Sequence, residues 1–400
     1  MKLIISTVLI AMLALVLNST EAKAYPEFIG YGYASCVTCH YNGLGGGPLN
    51  DYGRALWSAE IAAHPFYAKN KTDEEVANQS GFLGGTELPS WLRPHADYRS
   101  LNYVGSTAQQ NQGIDLNQFT FYQMQADFGV TLPFDADQKY LASITYSYVP
   151  AVYGTPNNGL DRFLATEYYF RAQPIETWFV YAGLLEKAYG IRTADHESFQ
   201  RAYQGFQIKN DNPEGVENSW GVIVQKVAEK WELALGGFFG NPYDDPAWQE
   251  KGASALFEFD VAEKKRFGIG VLTSNSLMNA KWEAEIHYKQ QISKGSSLLA
   301  EYGIIQDDAP GSSAQVGSYN MTELQFNIRR GYNFVMNAER YAAIFNPNTG
   351  DKWIWSAGLL AWPIPRVELR TDLANQRNLS TSVLQTQDAW VLEGQIGVSL

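Results

Sequence analysis

From about Ser90 to Leu400 the chain alternates apolar and polar residues over long stretches, a pattern that limits this region to antiparallel strands with one wet face. In the run Trp282 to Lys289, Trp282, Ala284, Ile286 and Tyr288 share one face, and Glu283, Glu285, His287 and Lys289 share the other. Tyr122, Met124, Ala126, Phe128 and Val130 stand likewise opposite Gln123, Gln125, Asp127 and Thr131. The pattern returns at Leu324–Arg329, at Val367–Leu373 and at Trp390–Leu400. Strands of about ten residues are long for a soluble sandwich, where about five or six is usual, and suit a barrel whose apolar face meets lipid. The links between them alternate in length. Short turns fall near 135–137, 173–175, 228–230, 262–264, 293–295, 330–331 and 363–365. The other links fall near 105–115, 154–160, 188–216, 241–251, 275–277, 307–316, 344–350 and 376–386, and only 275–277 is brief. The expectation is an all-β fold over 90–400, a transmembrane antiparallel barrel of about sixteen strands with both chain ends on the short-turn, periplasmic side.

Residues 36–40 read Cys-Val-Thr-Cys-His and hold both cysteines of the chain. This is the attachment pattern of a c-type haem: Cys36 and Cys39 form thioethers to the vinyl groups, and His40 supplies the proximal iron ligand. A thioredoxin-like pair lacks its βαβ surroundings, and a zinc site lacks two further soft ligands. A plain disulfide leaves the adjacent histidine unexplained. One covalent c-type haem is therefore the expected cofactor.

Residues 1–24 read as an export signal: an early Lys2, an apolar stretch from Leu3 to Leu17, and Ala22-Lys23-Ala24 before Tyr25. Its removal takes away Lys2, Lys23 and Glu21, so the net charge moves from −12 to −13. An acidic exported chain is a poor nucleic-acid binder and suits cations. Residues 25–89 then form a small, mostly helical haem module. The glycine-rich stretch 41–48 can wrap a porphyrin edge, and Leu49–Ala63 reads as one amphipathic helix capped by Asn50 or Asp51 and stopped by Pro65. Between Met12 and Met124 there is no methionine, so His64 is the first candidate for the distal iron ligand and His95 the second; the position could also stay open.

The longest link, Leu185–Val216, falls between the fifth and sixth strands. Its Arg192, Asp195, His196, Glu197 and Arg201 are candidates for a charged pore constriction or a haem contact, or equally for solvated loop charges. Glu167, Arg171, Glu283, Glu285, His287, Arg329 and Arg370 read as ordinary lining of a wet lumen, and no hydrolytic constellation stands above them.

Export signal, Cys-x-x-Cys-His and C-terminal barrel together resemble the fused monohaem cytochrome–porins of bacterial outer membranes, whose best-known members are iron(II) oxidases. The run Pro48-Leu49-Asn50-x-Tyr52-Gly53-Arg54 resembles small haem modules found beside such porins. Two departures are Ala34-Ser35 where a proline often precedes the haem site, and Leu400 where such barrels usually end in an aromatic residue. The resemblance implies electron transfer between an outside donor or acceptor, iron among them, and a periplasmic cytochrome, with the outer-membrane bilayer and a porin-like homotrimer as surroundings. The alternative is a solute-selective porin whose haem module gates or senses redox state; a third is a structural barrel with a vestigial cytochrome.

Overall fold

A computed structural model describes residues 26–45, 47–64, 70–78, 88–108, 116–149, 162–191, 218–243, 246–308, 314–342, 351–378 and 387–399; the export signal read at 1–24 lies outside them. The described residues form sixteen strands. They are β1 (Arg93–Ala108), β2 (Leu116–Pro133), β3 (Tyr140–Val149), β4 (Arg162–Ile175), β5 (Trp178–Leu185), β6 (Ser219–Val227), β7 (Trp231–Phe238) and β8 (Lys251–Ala262). The second half runs β9 (Lys265–Asn275), β10 (Ala280–Ser293), β11 (Ser296–Asp308), β12 (Gln315–Arg329), β13 (Tyr332–Ala342), β14 (Asp351–Ile364), β15 (Val367–Asn378) and β16 (Gln387–Ser399). Each strand pairs antiparallel with its sequence neighbours, and β1 pairs with β16 from Asp97↔Ser399 to Ala108↔Asp388. The sheet is a closed barrel without an edge.

The two faces of the wall are inverted relative to a soluble protein. Phe128, Leu235, Ile286, Leu359 and Leu373 point outward and are exposed, whereas Glu258, Glu283, Glu285, His287 and Glu339 point inward and are buried. That is the polarity of a barrel bathed in lipid. The period-two reading of Trp282–Lys289 holds: Trp282 and Ile286 face out, and Glu283, Glu285, His287 and Lys289 face the lumen. The turns fall where expected, with shifts of a few residues at two prolines. Strand β4 continues through Gln173-Pro174-Ile175 and turns at Glu176-Thr177, and β14 continues through Pro363 to turn at Pro365-Arg366. In both strands the pairing register breaks beside the proline, after Ala172 and after Ala361. A bulge is where a residue with no backbone N–H can be kept inside a ladder.

Among the described residues, three short helices precede the barrel: α1 (Pro26–Ile29), α2 (Asp51–Leu56) and α3 (Asp73–Asn78). The helix expected over 49–63 is shorter and changes pitch. Asn50 caps α2, its side chain accepting from Gly53 N–H at 2.8 Å, and a π-helical turn then runs from Trp57 to Ile61. Extended backbone at Ala62 ends it, before Pro65 is reached.

This segment is lodged in the short-turn mouth of the barrel, held nearly all the way round. Arg93 at the start of β1 pairs with Asp51 at 3.0 Å, and Gln138 in the β2–β3 turn donates to the same carboxylate at 3.1 Å. Burial pushes the Asp51 carboxyl up, but Arg93 and Arg54 outweigh it and hold it below the usual carboxylate range. Opposite, Gly30 is pressed onto the β10–β11 turn: a Cβ on it would come within 2.7 Å of the Gly295 carbonyl carbon, so backbone meets backbone there. Trp57 packs edge-on against Trp362 of β14 and against Phe28, and Ala63 N–H donates to Trp362 O at 2.8 Å. Arg330, in the β12–β13 turn, clamps the end of the π-helical turn by donating to Ala59 O and to Ala62 O, the latter at 2.9 Å.

Charge-assisted bonds of this kind contribute about 1.5–3 kcal/mol each. Arg330→Ala is therefore expected to raise hydrogen exchange at Ser58–Ala63 by about tenfold to a hundredfold, since each 1.4 kcal/mol of local opening is a factor of ten. Glu60→Gln, which breaks only the exposed pair with Lys294, is expected to change it little. Equal protection in Arg330→Ala and the unaltered chain would mean the clamp does not hold the segment in place.

Candidate haem site and lumen

The Cys36–His40 motif is built on a single turn. Residues 36–38 form a 3-10 turn in which Cys39 and His40 N–H groups both donate to Cys36 O, at 3.1 and 2.9 Å. Positions i, i+3 and i+4 are thereby gathered, so both thiols and the imidazole can address one ligand. Cys36 and Cys39 are not joined as a disulfide; Cys36 is partly exposed and Cys39 is buried. His40 Nδ1 lies 3.1 Å from Gly47 O. A backbone carbonyl on Nδ1–H fixes the tautomer in which Nε2 carries the lone pair, the arrangement a haem-iron histidine needs. Burial, against the opposing pull of that carbonyl, lowers the His40 pKa to about 4 and keeps the ring neutral. These residues fit a c-type haem in donor type, tautomer and charge.

The run Asn50-x-x-Gly53 supports the motif as well as the helix. Asn50 N–H donates to Cys39 O at 2.8 Å, and its side-chain amide donates to Thr38 O at 3.0 Å. Gly53 lies flat on the motif: a Cβ there would come within 2.4 Å of Cys39 O. Sequence reasoning gave Asn50 only as a helix cap, and its second task depends on a contact that spacing does not reveal.

The loop that follows the motif reaches into the lumen. Asn42 donates to Glu167 of β4 at 2.7 Å, Gly43 N–H donates to Tyr181 of β5 at 3.2 Å, and Gln225 of β6 donates to Gly43 O at 3.1 Å. Arg171 donates to Tyr41 O at 3.2 Å, and Ser35 donates to Glu232 of β7. Tyr41 and Leu44 share an apolar cluster with Leu141, Tyr169, Phe179 and Ile223 of the wall.

The two distal candidates occupy different places. His64 sits at the rim, its Nε2 3.2 Å from Asp73 Oδ1, beside Arg330, which pairs with the same carboxylate. His95 is buried on the inner wall of β1 with Nε2 3.0 Å from Thr145 Oγ1, and its buried Nδ1 has no hydrogen-bond partner among the described residues. Arg192, Asp195, His196, Glu197 and Arg201 lie outside the described residues. The beginning of their loop is described, and it folds inward: Lys187 pairs with Glu250 at 2.9 Å, Tyr189 is buried, and Ile191 N–H donates to Glu301 of β11 at 2.6 Å.

Between the motif and this loop segment runs a buried ion network. Arg266 of β9 meets Glu258 at 2.9 Å, Asp260 at 3.2 Å and Glu232 at 3.4 Å. Glu258 also takes Lys289, and His287 Nε2 at 2.7 Å; His287 Nδ1 lies 3.0 Å from Glu285. Glu232 links this network to Ser35, immediately before the motif. Of the lumen charges grouped in the sequence, Arg370 shares the inward face with buried Asp372 and pairs with it, whereas Arg329 is exposed and stacks on Tyr332. Glu301 was missed by inspection. Its signal was the Lys294-Gly295 turn, which sets His287 directly opposite Glu301 in the β10–β11 ladder.

No protein-family model matches the chain, and no curated protein sequence matches it. Solved structures do. The anion-selective porin of Comamonas acidovorans matches with a TM-score of 0.58 at 10% identity, covering 77% of this chain and 99% of its own. The outer membrane channel DcaP of Acinetobacter baumannii gives 0.53 at 10% identity, over 77% and 97%. OprB of Pseudomonas putida gives 0.55 at 10% identity, over 85% and 99%. The likeness is one of fold: a porin-like barrel.

Proposed function

We propose that this chain is an outer-membrane barrel that carries one covalent c-type haem in the periplasmic mouth of its lumen and passes electrons between a small donor or acceptor entering from outside and a periplasmic cytochrome. When bound, the haem supplies reversible one-electron exchange. Cys36 and Cys39 tether it, His40 is its proximal ligand, and His64 and His95 are the candidates for the far side. The observation that carries this reading is the seating of the motif. Ser35 to Leu44 bond to the lumen walls at Glu232, Glu167, Tyr181 and Gln225, so the attachment site belongs to the channel and is not a detached domain.

The seating also meets a length problem. A single haem cannot bridge an apolar band about 25 Å tall. Placed in the mouth, it faces a periplasmic partner on one side and the lumen on the other, and the remaining distance is covered by diffusion of a small reactant.

A second reading, a solute-selective porin gated by its haem module, draws its support from the porin-like fold of the solved channels. Rapid-mixing reduction separates the two. Holoprotein in detergent is mixed with iron(II) or with dithionite, and the haem spectrum is followed. Reduction by iron(II), slowed when the lumen is blocked, is the expected result. Reduction by dithionite alone, together with liposome solute flux that changes with haem oxidation state, would replace electron transfer by gating.

A further inference from the structure

We infer that Glu285 and His287 of β10 and Glu301 of β11 form a binding site for one divalent first-row transition-metal ion inside the barrel. This goes beyond the haem reading and stands without it.

One ligand atom from each of the three side chains lies within 4.8 Å of the other two. All three residues are buried, at 2%, 2% and 3% exposure respectively. Metal–ligand bonds of about 2.0–2.2 Å place neighbouring donors about 3–4 Å apart, so closure around an ion needs shifts of well under an ångström or so at each side chain. One imidazole nitrogen and two carboxylates suit Fe(II), Mn(II), Co(II) or Zn(II) better than a hard, all-oxygen ion such as Ca(II).

The surroundings are arranged as at a metal-binding histidine. Glu258 lies 2.7 Å from His287 Nε2 and is itself held by Arg266 at 2.9 Å and by Lys289. A fixed carboxylate on one ring nitrogen orients the imidazole and directs the other nitrogen, here Nδ1, toward the metal position. Tyr319 O–H and Ile191 N–H donate to Glu301 at 2.8 and 2.6 Å, fixing that carboxylate in turn. The wall of β9 makes room: a Cβ at Gly268 would come within 2.1 Å of the His287 ring, and one at Gly270 within 2.3 Å of Glu285 Oε1.

The same interior holds a further buried carboxylate. Glu283, next inward along β10, is 1% exposed, and neither of its oxygens has a hydrogen-bond partner among the described residues; Lys281 Nζ approaches to 3.5 Å. Burial, and then the negative charges of Glu283, Glu301 and Glu285, hold the Tyr189 phenol protonated well above its ordinary range. Buried carboxylates gathered around one point are costly unless a cation joins them. An ion bound at Nδ1 of His287 displaces any proton held there, and that proton leaves to solvent.

The test is titration of the full-length protein in detergent, stripped with chelator, using Zn(II) read by calorimetry and Co(II) read by its visible spectrum. Zn(II) is redox-inert, and the same titration on the Cys36→Ala/Cys39→Ala chain removes any haem contribution, so this outcome is independent of the haem reading. One ion per chain is expected. Glu301→Gln and Glu285→Gln should each weaken binding by about tenfold to a hundredfold. Both amides keep the side-chain shape, and in Glu301→Gln the amide oxygen still accepts from Ile191 N–H while its NH2 can donate to the Tyr319 hydroxyl oxygen, so folding is expected to survive. Glu263→Gln, in an exposed turn, should leave binding unchanged. Absence of a saturable site, or equal affinity in all four chains, would show an internal salt bridge and no metal site.

Discussion

A chain with both Cys36 and Cys39 changed to alanine is expected to lose all covalently held haem while keeping its barrel. Expressed beside haem-attachment machinery, the unaltered chain should retain peroxidase stain through a denaturing gel, and the double variant should retain none. The single variants should keep one thioether, visible as a shifted band of the reduced pyridine adduct. The barrel should survive because shortening two small thiols costs on the order of 1 kcal/mol apiece, far less than sixteen paired strands supply. His40→Ala removes the proximal ligand from a turn that is otherwise intact. The same preparation orders the distal candidates: a spectrum of the oxidised haem that changes in His64→Ala or in His95→Ala identifies the ligand, and one unchanged in both identifies an open position. Covalent haem in the double variant, or none in the unaltered chain, would remove the basis of the electron-transfer reading.

The barrel was legible because period-two alternation and tight turns are local properties. Trp282 to Lys289 declares its two faces in eight consecutive residues, and Lys294-Gly295 declares a hairpin. The turns that slipped did so where a bulge lets proline stay in a strand, at Pro174 and Pro363, which no local rule distinguishes from a strand end. The Cys-x-x-Cys-His motif was legible as a local pattern, and the structure gathers its three side chains on one turn. Its place was not. That Asn42 would meet Glu167, or Arg330 the end of the π-helical turn, depends on contacts between residues more than a hundred positions apart. Helix length was overestimated because the apolar face of 49–63 continues past Ile61, while the chain turns extended at Ala62 so that Ala63 can pair with Trp362.

The interior also changes what the lumen charges mean. Read as a list, Glu283, Glu285 and His287 are the lining of any water-filled pore. In the fold they are enclosed, with residues 35–45 on one side and residues 186–191 on the other, and enclosure raises the stakes of every unpaired charge.

Glu258→Ala is the substitution expected to damage the barrel most. Its carboxylate is shared by Arg266, His287 and Lys289, and Arg266 is 1% exposed. Arg266 retains Glu232 and Asp260, but Lys289 and the Nε2 side of His287 lose the partner they face. Removing one member of a buried ion group costs about 3–5 kcal/mol, because the charges left behind stay desolvated. The loss should appear as a lower urea midpoint for the detergent-folded barrel, followed by tryptophan fluorescence and gel mobility. Glu258→Gln should fall between, since the amide oxygen still accepts from His287 while the charge is gone. Adding Lys289→Met to Glu258→Gln removes one charge of each sign and should recover part of the loss, giving a coupling energy in a double-mutant cycle. A loss below about 1 kcal/mol in Glu258→Ala would mean that water reaches these groups, since solvated pairs contribute no more than that. In that case the lumen is open enough for solutes, and the enclosed metal site loses its main physical support.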